Sequence, residues 1–179
     1  LVEARHTFNK WMTTNFAVKQ SLELHYGPII PKIIAEQYIQ DIDGQLNDYK
    51  VLCFNGKPTF IWVDLDRFTD HRRNIYDLNW NLMPFSVGYP QTPRNIQAPK
   101  NLDEMIHLAE ILCQGFAHVR VDFYDVNGKI YFGEMTFTSG NGGETFTPKE
   151  YGKALGDLIT LPDPSPFPTI IGKENNYNI

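Results

Sequence analysis

Apolar and polar positions alternate most cleanly in two parts of this chain, and both read as paired strands. The first pair covers Asp48–Phe54 and residues 58–64, around the turn dipeptide Asn55-Gly56. In the second, Val119, Val121 and Phe123 alternate with Arg120, Asp122 and Tyr124, and Ile130, Phe132, Glu134 and Thr136 then share a face. Residues 32–39 read as a further strand. Helical spacing shows in residues 3–16, where Phe8, Trp11 and Met12 form one stripe. It returns at Asn101, whose pairing with Glu104 suggests a capping box. Leu102, Met105, Ile106, Ala109, Leu112 and Cys113 line one face of that helix. A second capping box, Thr147-Pro148-Lys149-Glu150, predicts a last helix to about Ile159, with proline at its first position. Between 65 and 100 periodicity is weak, with room for a short strand at 74–78, and an irregular stretch of that length is more often functional than filler. The pattern predicts one α+β domain over residues 1–161, a mostly antiparallel sheet packed by helices. The proline-rich residues 162–179 are expected to form an extended tail.

The second strand pair carries the candidate chemistry, and its turn decides whether two carboxylates meet. A two-residue turn at Asn127-Gly128 sets Glu134 opposite Val121, on the wrong face from Asp122. A three-residue loop over Val126, Asn127 and Gly128 pairs Asp125 with Lys129 and sets Glu134 opposite Arg120. Asp122 and Glu134 then share a surface beside a guanidinium, the groups that a magnesium-bound polyphosphate needs. The bland alternative is a solvated hairpin face with a surface salt bridge.

Composition narrows the function classes. With 16 Lys and Arg against 21 Asp and Glu, the net charge of −5 gives no broad attraction to nucleic acid or an anionic membrane. Positive charge gathers only locally, at Arg67, His71, Arg72 and Arg73. No apolar run approaches the roughly 20 residues of a membrane span, and the charged first residues are not a secretory signal. Cys53 and Cys113 sit among apolar neighbours without metal-type spacing, so buried free thiols in a reducing cytoplasm are expected. The chain starts at Leu1 inside a helical pattern, as a piece of a longer protein would.

Three blocks together carry a resemblance: Glu36-Gln-Tyr38-Ile39; Asp48-Tyr-Lys50 running to Phe54-Asn-Gly-Lys-Pro58; and Arg120-Val-Asp122-Phe-Tyr with Tyr131-Phe-Gly-Glu134-Met-Thr136-Phe-Thr-Ser-Gly140-Asn-Gly142-Gly. Over roughly residues 10–161 the chain resembles the ATP-grasp superfamily, in its TupA-like branch, associated with teichuronopeptide and bacterial surface-polysaccharide synthesis. The resemblance implies a ligase that activates a carboxylate with ATP and passes the acyl phosphate to an amine or related acceptor. It implies that Glu36, Gln37, Tyr38 and Ile39 form the hinge strand that reads adenine and that Asp48 binds the ribose. It also implies that Asp122 and Glu134 hold magnesium and that Arg120 contacts the transferred phosphate. Thr136 stands where most of the superfamily has a metal-binding asparagine. Lys50 shares a strand face with Asp48 and so could reach the same groove. Arg67, Arg72 and Arg73 are candidates for an anionic substrate, and the loop bearing Gly140 and Gly142 could offer backbone N–H groups to an anion or acyl phosphate.

Nothing before Lys32 has the form of the Lys-bearing strand and glycine-rich loop that cover the phosphates in this superfamily. The chain therefore resembles the C-terminal half of such an enzyme. Two alternatives stand beside the ligase: a non-catalytic nucleotide- or glycan-binding module, and a glycosyltransferase-type enzyme, against which the lack of an Asp-x-Asp pattern counts.

Overall fold

The computed structural model describes residues 2–19, 23–39, 46–67 and 69–162; the expected tail lies outside the described residues beyond Pro162. Five antiparallel strands form the main sheet: β1 (Asp48–Phe54), β2 (Lys57–Leu65), β3 (Arg72–Asp77), β5 (His118–Val126) and β6 (Lys129–Thr136), in the order β3-β2-β1-β5-β6. A two-stranded piece pairs β4 (Ser86–Val87) with β7 (Phe146–Thr147). This is the α+β, antiparallel architecture expected.

Strand alternation divides the sheet into two faces. Tyr49, Val51 and Cys53 of β1, with Ile61, Val63, Val119, Val121 and Phe123, pack beneath Met105, Ala109 and Cys113 at helix α3 (Leu102–Leu112). The opposite face changes character along its length. At one end Leu52, Phe54, Trp62 and Ile75 form an apolar cluster with Phe85, Val87 and Leu155, the last on helix α4 (Glu150–Gly156). At the other end the same alternation brings up Asp48, Lys50, Asp64, Arg73, Arg120 and Asp122, all buried.

Several local expectations change. The second hairpin turns on two residues, Asn127 and Gly128, both at positive φ, with Val126 paired to Lys129; the three-residue loop does not form. Asn101 makes no side-chain cap; its amide donates to Asp125 Oδ1 at 3.1 Å. Thr147 belongs to β7 rather than capping α4, and that helix ends at Gly156, short of Ile159. The first helix, α1 (Val2–Met12), is followed by the short α2 (Phe16–Lys19). None of α1 is buried, although Phe8 and Trp11 contact each other at 5.6 Å.

Residues 32–39 do not form the predicted strand. They carry no assigned secondary structure and are exposed or half-exposed, Ile34 at 76 % and Tyr38 at 83 %. An apolar stretch becomes a strand only where a ladder partner takes its N–H and C=O groups, and among the described residues the sheet supplies none here. Conversely β3 lies within the weakly patterned region, so Arg72 and Arg73 are strand rather than loop residues. Cross-strand pairing with Asp64 explains why so polar a segment is held there.

Candidate functional site

Lys50 is the centre of the charged end. Its register partner on β5 is Asp122, and Asp48 lies two residues back on the same face of β1. The ammonium sits 2.6 Å from Asp48 Oδ2 and 2.7 Å from Asp122 Oδ2, with Asp64 Oδ2 at 4.0 Å. The Lys50 side chain is 7 % exposed, so these carboxylates take the place of water around the charge. Burial pushes the Asp48 carboxyl above its ordinary value, and Lys50 opposes that shift. Asp48 Oδ2 also accepts from Arg67 at 2.9 Å, while its Oδ1 is buried without a partner among the described residues.

Arg120 forms the second node. Its guanidinium forks onto Asp122, Nε to Oδ1 at 2.7 Å and Nη2 to Oδ2 at 2.8 Å. Nη2 also donates to Glu134 Oε1 and to Thr136 Oγ1, each at 3.0 Å, and Nη1 donates to Ser139 Oγ at 2.9 Å. Burial would lower the Arg120 pKa, but the hydrogen bonds and charge of Asp122, with Glu134 and Asp48, raise it instead. The guanidinium is fixed in its charged form.

Glu134 reaches this cluster because the hairpin is irregular. Phe123 pairs with Phe132, yet Val121 pairs with Met135, so Gly133 and Glu134 together oppose Asp122. That is a β-bulge. It undoes the face reversal that the two-residue turn would otherwise impose, and both carboxylates meet at Arg120 Nη2. Gly133 permits it: a Cβ there would lie 3.1 Å from the Asp122 carbonyl oxygen.

A further arm joins Arg73, a candidate from the sequence, to Asp64, which the sequence did not single out. Asp64 and Arg73 are register partners on β2 and β3, joined by Nε to Oδ1 at 2.6 Å and Nη2 to Oδ2 at 3.1 Å. Burial pushes Asp64 up, but hydrogen bonding and charge from Arg73, with Lys50 and His71, outweigh it and hold the carboxyl below its ordinary value. Arg73 lies over the Trp62 ring at 4.9 Å and places Nη1 3.6 Å from Glu144 Oε1. Glu144 Oε1 in turn accepts from Ser139 Oγ at 3.2 Å. The glycine loop is thus tied to the sheet at both ends. Gly140, at φ 53°, packs under Glu144, where a Cβ would collide with its side chain.

The charged end opens into a cavity of about 710 Å³. Asp48, Lys50, Asp122 and Glu134 form one wall, Tyr124 and Tyr131 continue it, and Arg67 stands at the side. Glu36, Gln37, Tyr38 and Ile39 line the same cavity despite lacking strand structure. The fold therefore gathers most of the residues singled out above, with Arg120 and Thr136 held behind Asp122 and Glu134. Arg72 is not among them: it pairs with Leu65 on β2 and bonds to the exposed Asp70. Arg73 is buried beside the cluster, and Gly140 and Gly142 lie beyond Arg120. The signals for what was missed were the cross-strand partner of Asp64 and the isolated glycine at 133.

Among the described residues no group of three or more His, Cys, Asp or Glu is placed to hold a metal ion. Asp122 Oδ2 already accepts from Lys50 and Arg120, whereas the Glu134 side chain is 64 % exposed and offers an oxygen to the cavity. This donor set fits magnesium that arrives with phosphate oxygens and keeps some of its water, a form that needs only one or two carboxylates. Glu134 would hold it, with Asp122 behind.

Among the described residues no helix is long and apolar enough to cross a membrane. The family model described as TupA-like ATPgrasp matches residues 1–160 of the chain. No curated protein and no solved structure gives a match.

Proposed function

Because the chain belongs to the TupA-like ATP-grasp family, we propose that it serves an ATP- and magnesium-dependent carboxylate–amine ligase of bacterial surface-polysaccharide or peptide-polymer synthesis, acting in the cytoplasm. The observation that carries this reading is one cavity of about 710 Å³ lined both by Lys50, Asp122 and Glu134 and by residues 36–39. Residues 36–39 lie outside helix and sheet, so their backbone N–H and C=O groups are not taken up by a ladder and an adenine ring can be read by them. Arg67, 45 % exposed at the side chain and held at 2.9 Å by Asp48, stands at the cavity's side as the cation to meet a phosphate.

The buried residues take different roles from the exposed ones. Asp48 has its Oδ2 engaged by Lys50 and Arg67, so it orients those two cations rather than meeting ribose. Arg120 holds Asp122 and Glu134 in place and acts as a positioning residue. Lys50 supplies a fixed positive charge beside the transferred phosphoryl group, where preorganised charge counts for most. Magnesium bound to the nucleotide adds charge neutralisation at the phosphate oxygens. The substrate carboxylate then takes the γ-phosphoryl group and ADP leaves. The acceptor nitrogen attacks the acyl carbon, a C–N bond replaces the C–O bond, phosphate departs with the electron pair, and the nitrogen loses a proton to water.

The test is calorimetric titration of magnesium-bound, non-hydrolysable ATP into the chain and into Glu134→Gln. Saturable, magnesium-dependent binding that collapses in the variant supports the reading. Binding indifferent to magnesium, or equal in both proteins, overturns it.

A further inference from the structure

A second cavity, of about 310 Å³, opens on the same sheet face where the charged end meets the apolar one. Its floor is Leu52, Phe54 and Trp62, and Phe146 and Leu155 wall it from the side of β7 and α4. Leu52 is the register partner of Arg120, so the cavity begins one step along the strands from the Lys50–Asp122 pair. Its polar end is formed by Ser139 and Glu144. His118 also lines it, with Nδ1 2.9 Å from the Cys53 carbonyl oxygen; burial holds that imidazole below its ordinary pKa and so in the uncharged form at neutral pH.

Charge matching points to the occupant. Lys50, Arg73 and Arg120 are the cations held inside the cluster, with side chains 7 %, 8 % and 10 % exposed. Five carboxylates face them, Asp48, Asp64, Asp122, Glu134 and Glu144, and the more exposed Arg67 adds a fourth cation, on Asp48. Asp48 is matched by Lys50, Asp64 by the two-pronged bond from Arg73, and Asp122 by the fork of Arg120. Glu144 is left with a hydroxyl and the more distant Arg73, already committed to Asp64. The unmatched negative charge stands at the mouth of an apolar cavity. Burial raises the Glu144 pKa, against the opposing charge of Arg73 and Arg120 and the Ser139 hydrogen bond.

We propose that this cavity binds an organic amine with a flat apolar body, the body against Leu52, Trp62 and Phe146 and the protonated amino group on Glu144. In the ligase this molecule is the amine acceptor, and that identification, though not the binding itself, rests on the function proposed above. Cavity size limits the body to about one ring, since ligand sites for larger organic molecules start near 300 Å³ and rise from there.

The probe is 2-phenylethylamine, with phenylacetate as its anionic counterpart. Each is titrated into the isotopically labelled chain while the Trp62 indole N–H resonance is followed, assigned by its loss in Trp62→Phe. A saturable shift with the amine, at least tenfold weaker for phenylacetate, is expected. Glu144→Gln should weaken amine binding about tenfold, the loss of one charge-assisted contact worth about 1.4 kcal/mol. Gly156 lines the cavity with no atom within 4 Å of a built Cβ, so Gly156→Phe should fill the space and abolish the shift. Amine binding kept while the nucleotide titration fails would retire the ligase reading alone. Equal binding of phenylacetate, indifference to Glu144→Gln, or no shift with either probe overturns the proposal.

Discussion

Gly133 presses against Asp122 so closely that a side chain there would reach 3.1 Å from the Asp122 carbonyl oxygen, and this approach makes the bulge that turns Glu134 toward the cavity. Gly133→Val should therefore cost about 1–3 kcal/mol of stability, the usual penalty of forced overpacking. Its effect on nucleotide binding should be larger than that on folding, because straightening β6 sends Glu134 to the other face. Thermal unfolding and calorimetric titration on the same preparation separate the two effects; equal affinity in the variant would show that the bulge does not set the site.

Lys50→Met removes the one ammonium between Asp48 and Asp122. Both carboxylates then stay buried with less countercharge, and a loss of about 3–5 kcal/mol is expected in urea unfolding. Adding Asp48→Asn should recover part of it, since the pair is coupled through a 2.6 Å contact. Strict additivity of the two substitutions would contradict that coupling.

Acid should find a weak point at Asp64. Its folded pKa lies below the ordinary 3.8, so the unfolded chain binds more protons there and stability falls as pH drops below that value. Asp48 and Glu144, held above their ordinary values, act in the opposite sense, and their contribution declines as pH rises above 3.8 and 4.5 respectively. In Asp64→Asn the acid-side slope should flatten and the overall stability should be lower. Urea midpoints measured from pH 3 to pH 7 give both quantities, and an unchanged acid slope would count against the buried pair.

Magnesium alone should give no saturable heat with this chain, because only Glu134 offers an exposed carboxylate oxygen at the wall. The same ion added with non-hydrolysable ATP should bind, each strengthening the other. Tight binding of magnesium without nucleotide would mean a resident metal centre instead.

Much of this arrangement was legible in alternation alone. The β1–β2 hairpin followed from Asn55-Gly56, and the pairing of β5 with β6 from their alternating faces. The meeting of Asp122 and Glu134 was legible only as a condition on the turn. The turn took the form that would have separated them, and a glycine inside the strand restored the contact. Arg73 was singled out, but its pairing with Asp64 stayed hidden because β3 carries too many polar residues to show a period; its order comes from pairing with β2. Residues 32–39 misled in the other direction, since among the described residues no ladder partner meets them.

The placement of core and chemistry on alternate residues of β1 makes the two inseparable to one kind of genetic change. A substitution can reach Lys50 without touching Val51, or the reverse. Deletion of a single residue within β1 shifts the parity of everything beyond it, so that ammonium and isopropyl groups exchange sides. Such a lesion would abolish packing and chemistry in one step, leaving no folded but inactive intermediate for selection to act on.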